Sequence, residues 1–232
     1  MRRFFVEIPS LNIEELVLPP EESRHACKVL RMSQGDEMEV VNGNGELFTG
    51  RISIADTKKC QLSKLNYSQF DRDQFEIHIA IAPTKMNDRF ETFLEKATEL
   101  GVHRITPLLC SNSERKKIKL DRYNKVLVAA MKQSKRLFLP HLDELTSYSD
   151  FISEHSSGLI AHCEETAKEG LTNVLKPSSC PILIGPEGDF TPAEIELALK
   201  NGYKPVSLGK TRLRTETAGL YACSLAKFKL EE

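Results

Sequence analysis

The sequence has no apolar run approaching the roughly 20 residues that a membrane-crossing helix needs, which argues against a helical membrane protein. It also lacks a secretory signal: MRRFFVEIPS carries two arginines, but Glu7 breaks the apolar stretch and no small-residue cleavage site follows. The six cysteines (Cys27, Cys60, Cys110, Cys163, Cys180, Cys223) are scattered without a CxxC pair, and no histidines fall at HExxH spacing. That pattern argues against a zinc ribbon or a disulfide scaffold, and His162-Cys163 alone makes no metal site. Free thiols suit a reducing cytoplasm, so a cytoplasmic protein without metal is expected. Net charge is nearly absent too, at −1, so the total gives no case for a nucleic-acid partner.

The distribution of charge says something different. Between Ser111 and Arg136 stand nine basic residues (Arg115, Lys116, Lys117, Lys119, Arg122, Lys125, Lys132, Lys135, Arg136) against two acids, Glu114 and Asp121. A second acid-free run holds Lys204, Lys210, Arg212 and Arg214. Such patches suit phosphate contact, and a solvated helix face accounts for them equally well on charge alone.

Two rhythms divide the chain. Up to about Leu65, short alternating runs (RRFFVEI, DEMEVVN, ELFTGRISIAD, KCQLSKL) read as strands, with NGNG (Asn42 to Gly45) as a hairpin turn between two of them. One helical segment, Pro20 to Arg31, interrupts them, with Ala26, Val29 and Leu30 as its apolar stripe. NYSQFDRDQ, residues 66 to 74, is polar and reads as a linker. After Phe75, strands (FEIHIAIA, RITPLLC, GLIAHC, PILIG, PVSLG) alternate with helices. The helices are NDRFETFLEKATEL closed by Gly101, DRYNKVLVAAMKQSKRLF stopped before Pro140, Pro192 to Lys200, and about Thr215 to Phe228. Alternation of this kind predicts a parallel sheet covered on both faces, with ligands beyond the carboxyl ends of its strands. Gly185 to Asp189 and Gly209 to Arg214 then fall in the expected site.

The stretch ILIGPEGDFTPAEI runs from a buried strand through a glycine-bearing loop into a helix. Thr191-Pro192-Ala193-Glu194 forms a capping box with proline at the first helical position, which accounts for Thr191 and Glu194 as structural residues. GPEG lacks the GxGxxG spacing of a dinucleotide loop, and the carboxylate of Glu187 would repel a phosphate. Gly209-Lys210-Thr211 imitates the end of a Walker A loop, but Lys204 stands where its first glycine belongs. What remains is a loop that brings backbone close to an uncharged or cationic ligand.

These residues carry a family resemblance. ILIGPEGDFTPAEI followed by SLGKTRLRTETAGLYA resembles the C-terminal motifs of the SPOUT methyltransferases. More narrowly, the chain resembles the RsmE family, which methylates N3 of a uridine in bacterial 16S ribosomal RNA. MRRFFVE, RHACKVLRMSQGDEMEVVNG, NDRFETFLEKATELGV and SERKKIKLDRYNKVLVAAMKQSKR follow the family's order, so the resemblance spans nearly the whole chain. It implies an α/β protein: a PUA-like RNA-binding β-barrel over residues 1–70, then a SPOUT domain over 75–232 with a parallel sheet and a deep trefoil knot. It also implies S-adenosylmethionine as cofactor, a homodimer, and the small ribosomal subunit as partner.

By position in the family's motifs, the resemblance assigns the cofactor pocket to Ala161, His162, Ile184, Gly185, Gly188, Leu208, Gly209, Leu213 and Thr215. Arg214 is the expected catalytic cation, Glu187 a candidate proton acceptor, and Gln133 and Arg136 contacts to the base or its phosphate. Glu216 reads as favourable charge at a helix start. Arg3, Arg24, His25, Lys28 and Arg31 are expected to face RNA, joined by Arg115 and Lys132 of the basic stretch. Asp189 departs from the pattern, since many members carry a second glycine there, and it leaves the local backbone angle open. The competing function is a non-catalytic RNA-binding module that has lost the cofactor.

Overall fold

The computed structural model of the chain describes residues 1–7, 15–176 and 180–231. Ile8, the last residue of the first expected strand, lies outside them. The chain forms two compact units, Met1–Arg72 with Met131–Leu139, and Asp73–Ala130 with Pro140–Glu232.

In the first unit the alternating runs become β1 (Arg2–Phe5), β2 (Glu15–Val17), β3 (Glu37–Val41), β4 (Glu46–Ile54) and β5 (Gln61–Gln69). They form a five-stranded sheet in the order β1-β3-β4-β5-β2, a curled half-barrel. Period-two side chains from these strands build its core: Phe4, Val40, Phe48, Ile52 and Leu62 are all buried. The NGNG turn closes the β3–β4 hairpin with Gly43 and Gly45 at positive φ, while Asn42 Oδ1 accepts from Asn44 N. Residues 66–69, expected as linker, instead continue β5, where they pair with residues 46–49.

The expected helix over residues 20–31 is shorter and less regular. α1 (Pro20–Arg24) passes into a π-helical turn, His25–Val29, whose end is marked by Leu30 N donating back to His25 O at 2.9 Å. The wider turn moves later side chains off the pattern of about 100° per residue. Ala26 is therefore buried, but Val29, expected on the apolar stripe, is 66% exposed.

In the second unit, β6 (His78–Ile81), α2 (Asn87–Leu100), β7 (Arg104–Leu109) and α3 (Leu120–Gln133, whose last three residues count with the first unit) follow the expected alternation. Beyond them come β8 (His141–Leu142), β9 (Thr146–Ser147), α4 (Tyr148–Glu154), β10 (Gly158–Ala161), β11 (Glu169–Gly170) and α5 (Leu171–Val174). The chain ends with β12 (Pro181–Ile184), α6 (Pro192–Lys200), β13 (Tyr203–Ser207) and α7 (Thr215–Glu231). The sheet order is β11-β13-β10-β12-β6-β7-β8, with β9 also on β7, and these pairings are all parallel. HIAI and PILI are buried at every position, as strands covered on both faces must be.

α3 ends at Gln133 and does not run to Phe138 as its sequence suggests. Lys135 adopts φ +57, and the next residues pair with the first unit's own turn: Gly45 N donates to Leu137 O and Leu139 N to Gly43 O. Backbone partners offered by the glycine turn outcompete the last helical turn.

Candidate functional site

The register of the parallel sheet assembles the site. Ala161, the last residue of β10, pairs with Ile184 at the end of β12 and with Val206 near the end of β13. The loops leaving these three strands therefore emerge side by side at the carboxyl edge, where ligands bind in such sheets. They enclose a cavity of about 880 Å³, within the range of small-molecule sites. Its wall draws on residues 161–166 and 168, 184–187 and 189, and 206–215, with Ala218 of α7.

His162 is the first residue beyond β10 and is 7% exposed, yet neither ring nitrogen has a partner in the protein. Burial, and then the nearby Lys168 cation, push its pKa below the usual histidine value, which keeps the ring neutral at pH 7. A buried, unpartnered imidazole on a cavity wall calls for a hydrogen bond from an occupant. Lys168 Nζ donates to His162 O at 2.7 Å and to Glu164 O at 2.6 Å, which folds the first loop back on itself.

The second loop is held from several sides. Thr215 Oγ1, at the start of α7, donates to Gly185 O at 3.1 Å. Glu187 Oε1 accepts from Lys85 N at 2.9 Å, and Asn112 Nδ2 donates to the carbonyls of Gly188 and Asp189, both at 3.1 Å. Asp189 adopts φ +63, and its two carboxylate oxygens accept from Cys163 N and Phe190 N. In the third loop Gly209 has φ +120, with nothing within 4 Å of where a Cβ would stand. Backbone is therefore open to an occupant there, in a conformation that suits glycine.

Comparison with known proteins fits this geometry. A family profile described as RNA methyltransferase domain matches residues 71–227, and one described as RNA methyltransferase PUA domain matches residues 18–65. Ribosomal RNA small subunit methyltransferase E of Bacillus subtilis is 29% identical, over 100% of this chain and 98% of its own. A probable rRNA-methyltransferase structure from Porphyromonas gingivalis is 39% identical with TM-score 0.83, covering 89% of this chain and 90% of its own. Ribosomal RNA small subunit methyltransferase E from Neisseria gonorrhoeae, solved bound to S-adenosyl methionine, is 27% identical with TM-score 0.83. That match covers 97% of this chain and 95% of the other.

The chain belongs to the RsmE family of RNA methyltransferases.

Of the pocket residues that the RsmE motifs single out, Ala161, His162, Ile184, Gly185, Leu208, Gly209, Leu213 and Thr215 line the cavity, with Glu187 and Arg214 beside them. Gly188 is outside the wall and packs on Asn112, whose Cβ lies 3.2 Å from where a glycine Cβ would be. Gln133 and Arg136 straddle the end of α3 and belong, with Met131–Leu139, to the first unit.

Several cations expected to face RNA have structural partners. Arg3 forms an ion pair with Glu39 at 2.8 Å, its side chain 8% exposed, and also donates to Arg136 O. Lys132 pairs with Glu22, both largely buried. Arg115 donates to the carbonyls of Thr84 and Lys85, bracing the turn that also anchors Glu187. Arg24, His25, Lys28 and Arg31 remain exposed, and Arg31, two residues past the π-helical segment, has φ +54. Sequence reading missed Asn112 and Lys168, which hold the loops. HCEETAKEG directly follows the β10 strand, and that position could have marked its loop as part of the site. Among the described residues no group of three or more metal-ligating side chains is placed to hold an ion.

Proposed function

We propose that the cavity binds S-adenosylmethionine and that the chain methylates N3 of a uridine in the 16S RNA of the small ribosomal subunit. The observation that carries this is the cavity wall itself, three adjacent loops with open backbone around a neutral, unpartnered His162. The residues fit the cofactor. The volume suits a nucleoside-sized ligand, Ile184, Leu208 and Leu213 offer apolar contact, and the imidazole offers a polar one. Glu187 and Asp189 on the wall disfavour a phosphate but tolerate a cationic sulfonium.

When bound, S-adenosylmethionine supplies a methyl group already activated by its positively charged sulfur. The chain's own residues then position the acceptor and manage its charge. Uridine N3 carries a proton at neutral pH and lies on the Watson–Crick edge, so the base must be unpaired or flipped out. Arg214 lies exposed on the cavity wall, and among the described residues no carboxylate pairs with it. Its guanidinium stabilises the negative charge that develops on the uracil oxygens as the N3 proton leaves. Glu187, whose Oε1 is held by Lys85 N, keeps Oε2 as the candidate acceptor of that proton. Gln133 and Arg136 orient the base or its phosphate.

The same proposal takes residues 1–70 as the RNA-binding domain and 75–232 as the catalytic domain. It includes a homodimer in the cytoplasm and a knotted path through the C-terminal segment. The decisive experiment offers labelled S-adenosylmethionine and small subunits from cells lacking the modification. The expected product carries methyl at a uridine N3 and stops reverse transcription there, because that edge can no longer pair. Absence of label with folded protein would defeat the methyltransferase reading. If S-adenosylhomocysteine also gave no heat in calorimetry, the non-catalytic RNA-binding module would stand in its place.

A further inference from the structure

We infer that Asp189 is a positioning residue for the cofactor cavity, a carboxylate clamp between the loops that leave β10 and β12. The inference rests on the cofactor reading above and adds a role for the one residue at which the GPEG loop departs from the family pattern.

The backbone comes first. Asp189 is one of four non-glycine residues with positive φ among the described residues, and the only one of them on the cavity wall. A left-handed conformation is unfavourable for a residue with a Cβ, although aspartate tolerates it better than most. Glycine would meet the backbone requirement more easily, so the side chain needs a separate reason to be there. Its two oxygens supply one. Oδ2 accepts from Cys163 N at 2.7 Å, across 26 residues of sequence, while Oδ1 accepts from Phe190 N at 2.8 Å. The main chain of Asp189 is held as well, its N–H donating to Pro186 O at 2.9 Å and its carbonyl accepting from Asn112.

The consequence lies in what the clamp joins. Cys163 directly follows His162, the unpartnered imidazole on the wall, and the Gly185–Glu187 backbone is on the other side of the same aspartate. Strand pairing between β10 and β12 stops at Ala161 and Ile184, so the sheet does not set the separation of the loops beyond that point. Among the described residues, the Asp189–Cys163 bond is the direct hydrogen bond between them. It fixes where His162 stands relative to the loop backbone, and a preorganised site binds more tightly than one that must be assembled.

Two variants of the full-length protein test this. Asp189→Gly removes the carboxylate and accepts φ +63 without strain. Asp189→Asn tolerates the same φ and keeps one acceptor oxygen. Calorimetry with S-adenosylhomocysteine should show about tenfold weaker binding or more for Asp189→Gly, the loss expected for one charge-assisted hydrogen bond. Asp189→Asn should fall between it and the parent, while the melting temperatures of all three stay close. KM for S-adenosylmethionine should rise more than kcat falls, and exchange of the Cys163 amide should quicken in Asp189→Gly. Unchanged affinity in Asp189→Gly would overturn the clamp. So would an affinity loss matched by proportionate falls in melting temperature in both variants, since Asp189 would then serve folding alone. If the parent itself binds no S-adenosylhomocysteine, the cofactor reading fails. Cys163 amide exchange then decides the clamp by itself, with equal rates in parent and variant overturning it.

Discussion

Arg214 and Thr215 are neighbours in sequence with opposite fates: Arg214 is exposed on the cavity wall, and Thr215 is 5% exposed and bonded to Gly185 O. The helical start of α7 turns one outward and the other inward. Arg214→Ala should therefore lower kcat by about 10²-fold or more, the scale of losing one preorganised charge contact, and leave S-adenosylhomocysteine affinity nearly unchanged. Equal losses of turnover and affinity would instead make the arginine a pocket-shaping residue. Asp189 shows what a single sequence leaves open at this scale. As a substitute for glycine it puts the backbone angle in doubt, and only a partner 26 residues earlier, Cys163 N, gives its carboxylate a purpose. Long-range partners of this kind have no local pattern.

Helix ends were legible where the signal is local. The α6 capping box is present as expected, with Thr191 Oγ1 accepting from Glu194 N and Glu194 Oε2 accepting from Thr191 N. Glu194 does more than cap, since its Oε1 also takes Ser111 N at 2.8 Å. Thr191→Ala should cost about 1 kcal/mol, as cap removal typically does, and Glu194→Ala more, because Ser111 loses its acceptor too. Urea midpoints of the two variants check the order. The ends of α1 and α3 were not legible in this way. A π-helical turn exposes Val29, and α3 gives up its last turn to backbone bonds with the Gly43–Gly45 turn. In both cases backbone hydrogen bonding that the side-chain period does not report decides the outcome.

At the scale of the whole molecule, two consequences follow from where charge is buried. His78, at the amino end of β6, is pushed down to about 3 by burial and by the Arg104 cation. Thr106 gives its one hydroxyl proton to Asp143, so it accepts from His78 Nε2, which must carry the ring proton. A histidine whose folded pKa lies below its unfolded value contributes stability that is fully present above pH 6.5 and lost as pH falls toward 3. The loss should be on the order of 1 kcal/mol per pH unit across that window. His78→Gln should flatten the slope of stability between pH 6.5 and 4.5 (an interval of about 2 units inside it), measured by urea denaturation. The second consequence concerns RNA. Lys132 and Arg3 are held in ion pairs, whereas Arg24 and Lys28 remain exposed on the first unit. Replacing Arg24 and Lys28 with alanine should lower the slope of log affinity against log salt by about 2, roughly one unit for each lost phosphate contact. An unchanged slope would remove that face from the RNA interface.

The sequence by itself determined the alternation of strands and helices, the carboxyl-edge position of the loops, the capping box, and the exclusion of phosphate loops. All of these depend on residues within a few positions of one another. The motifs GPEG and LGKTRLRTETA also placed the chain in its family, through residues most of which line one cavity. Only the tertiary structure decided how that cavity is held, because its ties are long-range: Thr215 to Gly185, Glu187 to Lys85 N, Asp189 to Cys163 N. It likewise decided which cations are available, since Arg3 and Lys132 have carboxylate partners 36 and 110 residues away. Charge counted along a chain cannot distinguish a solvated cation from a neutralised one; that depends on which strand or helix folds beside it.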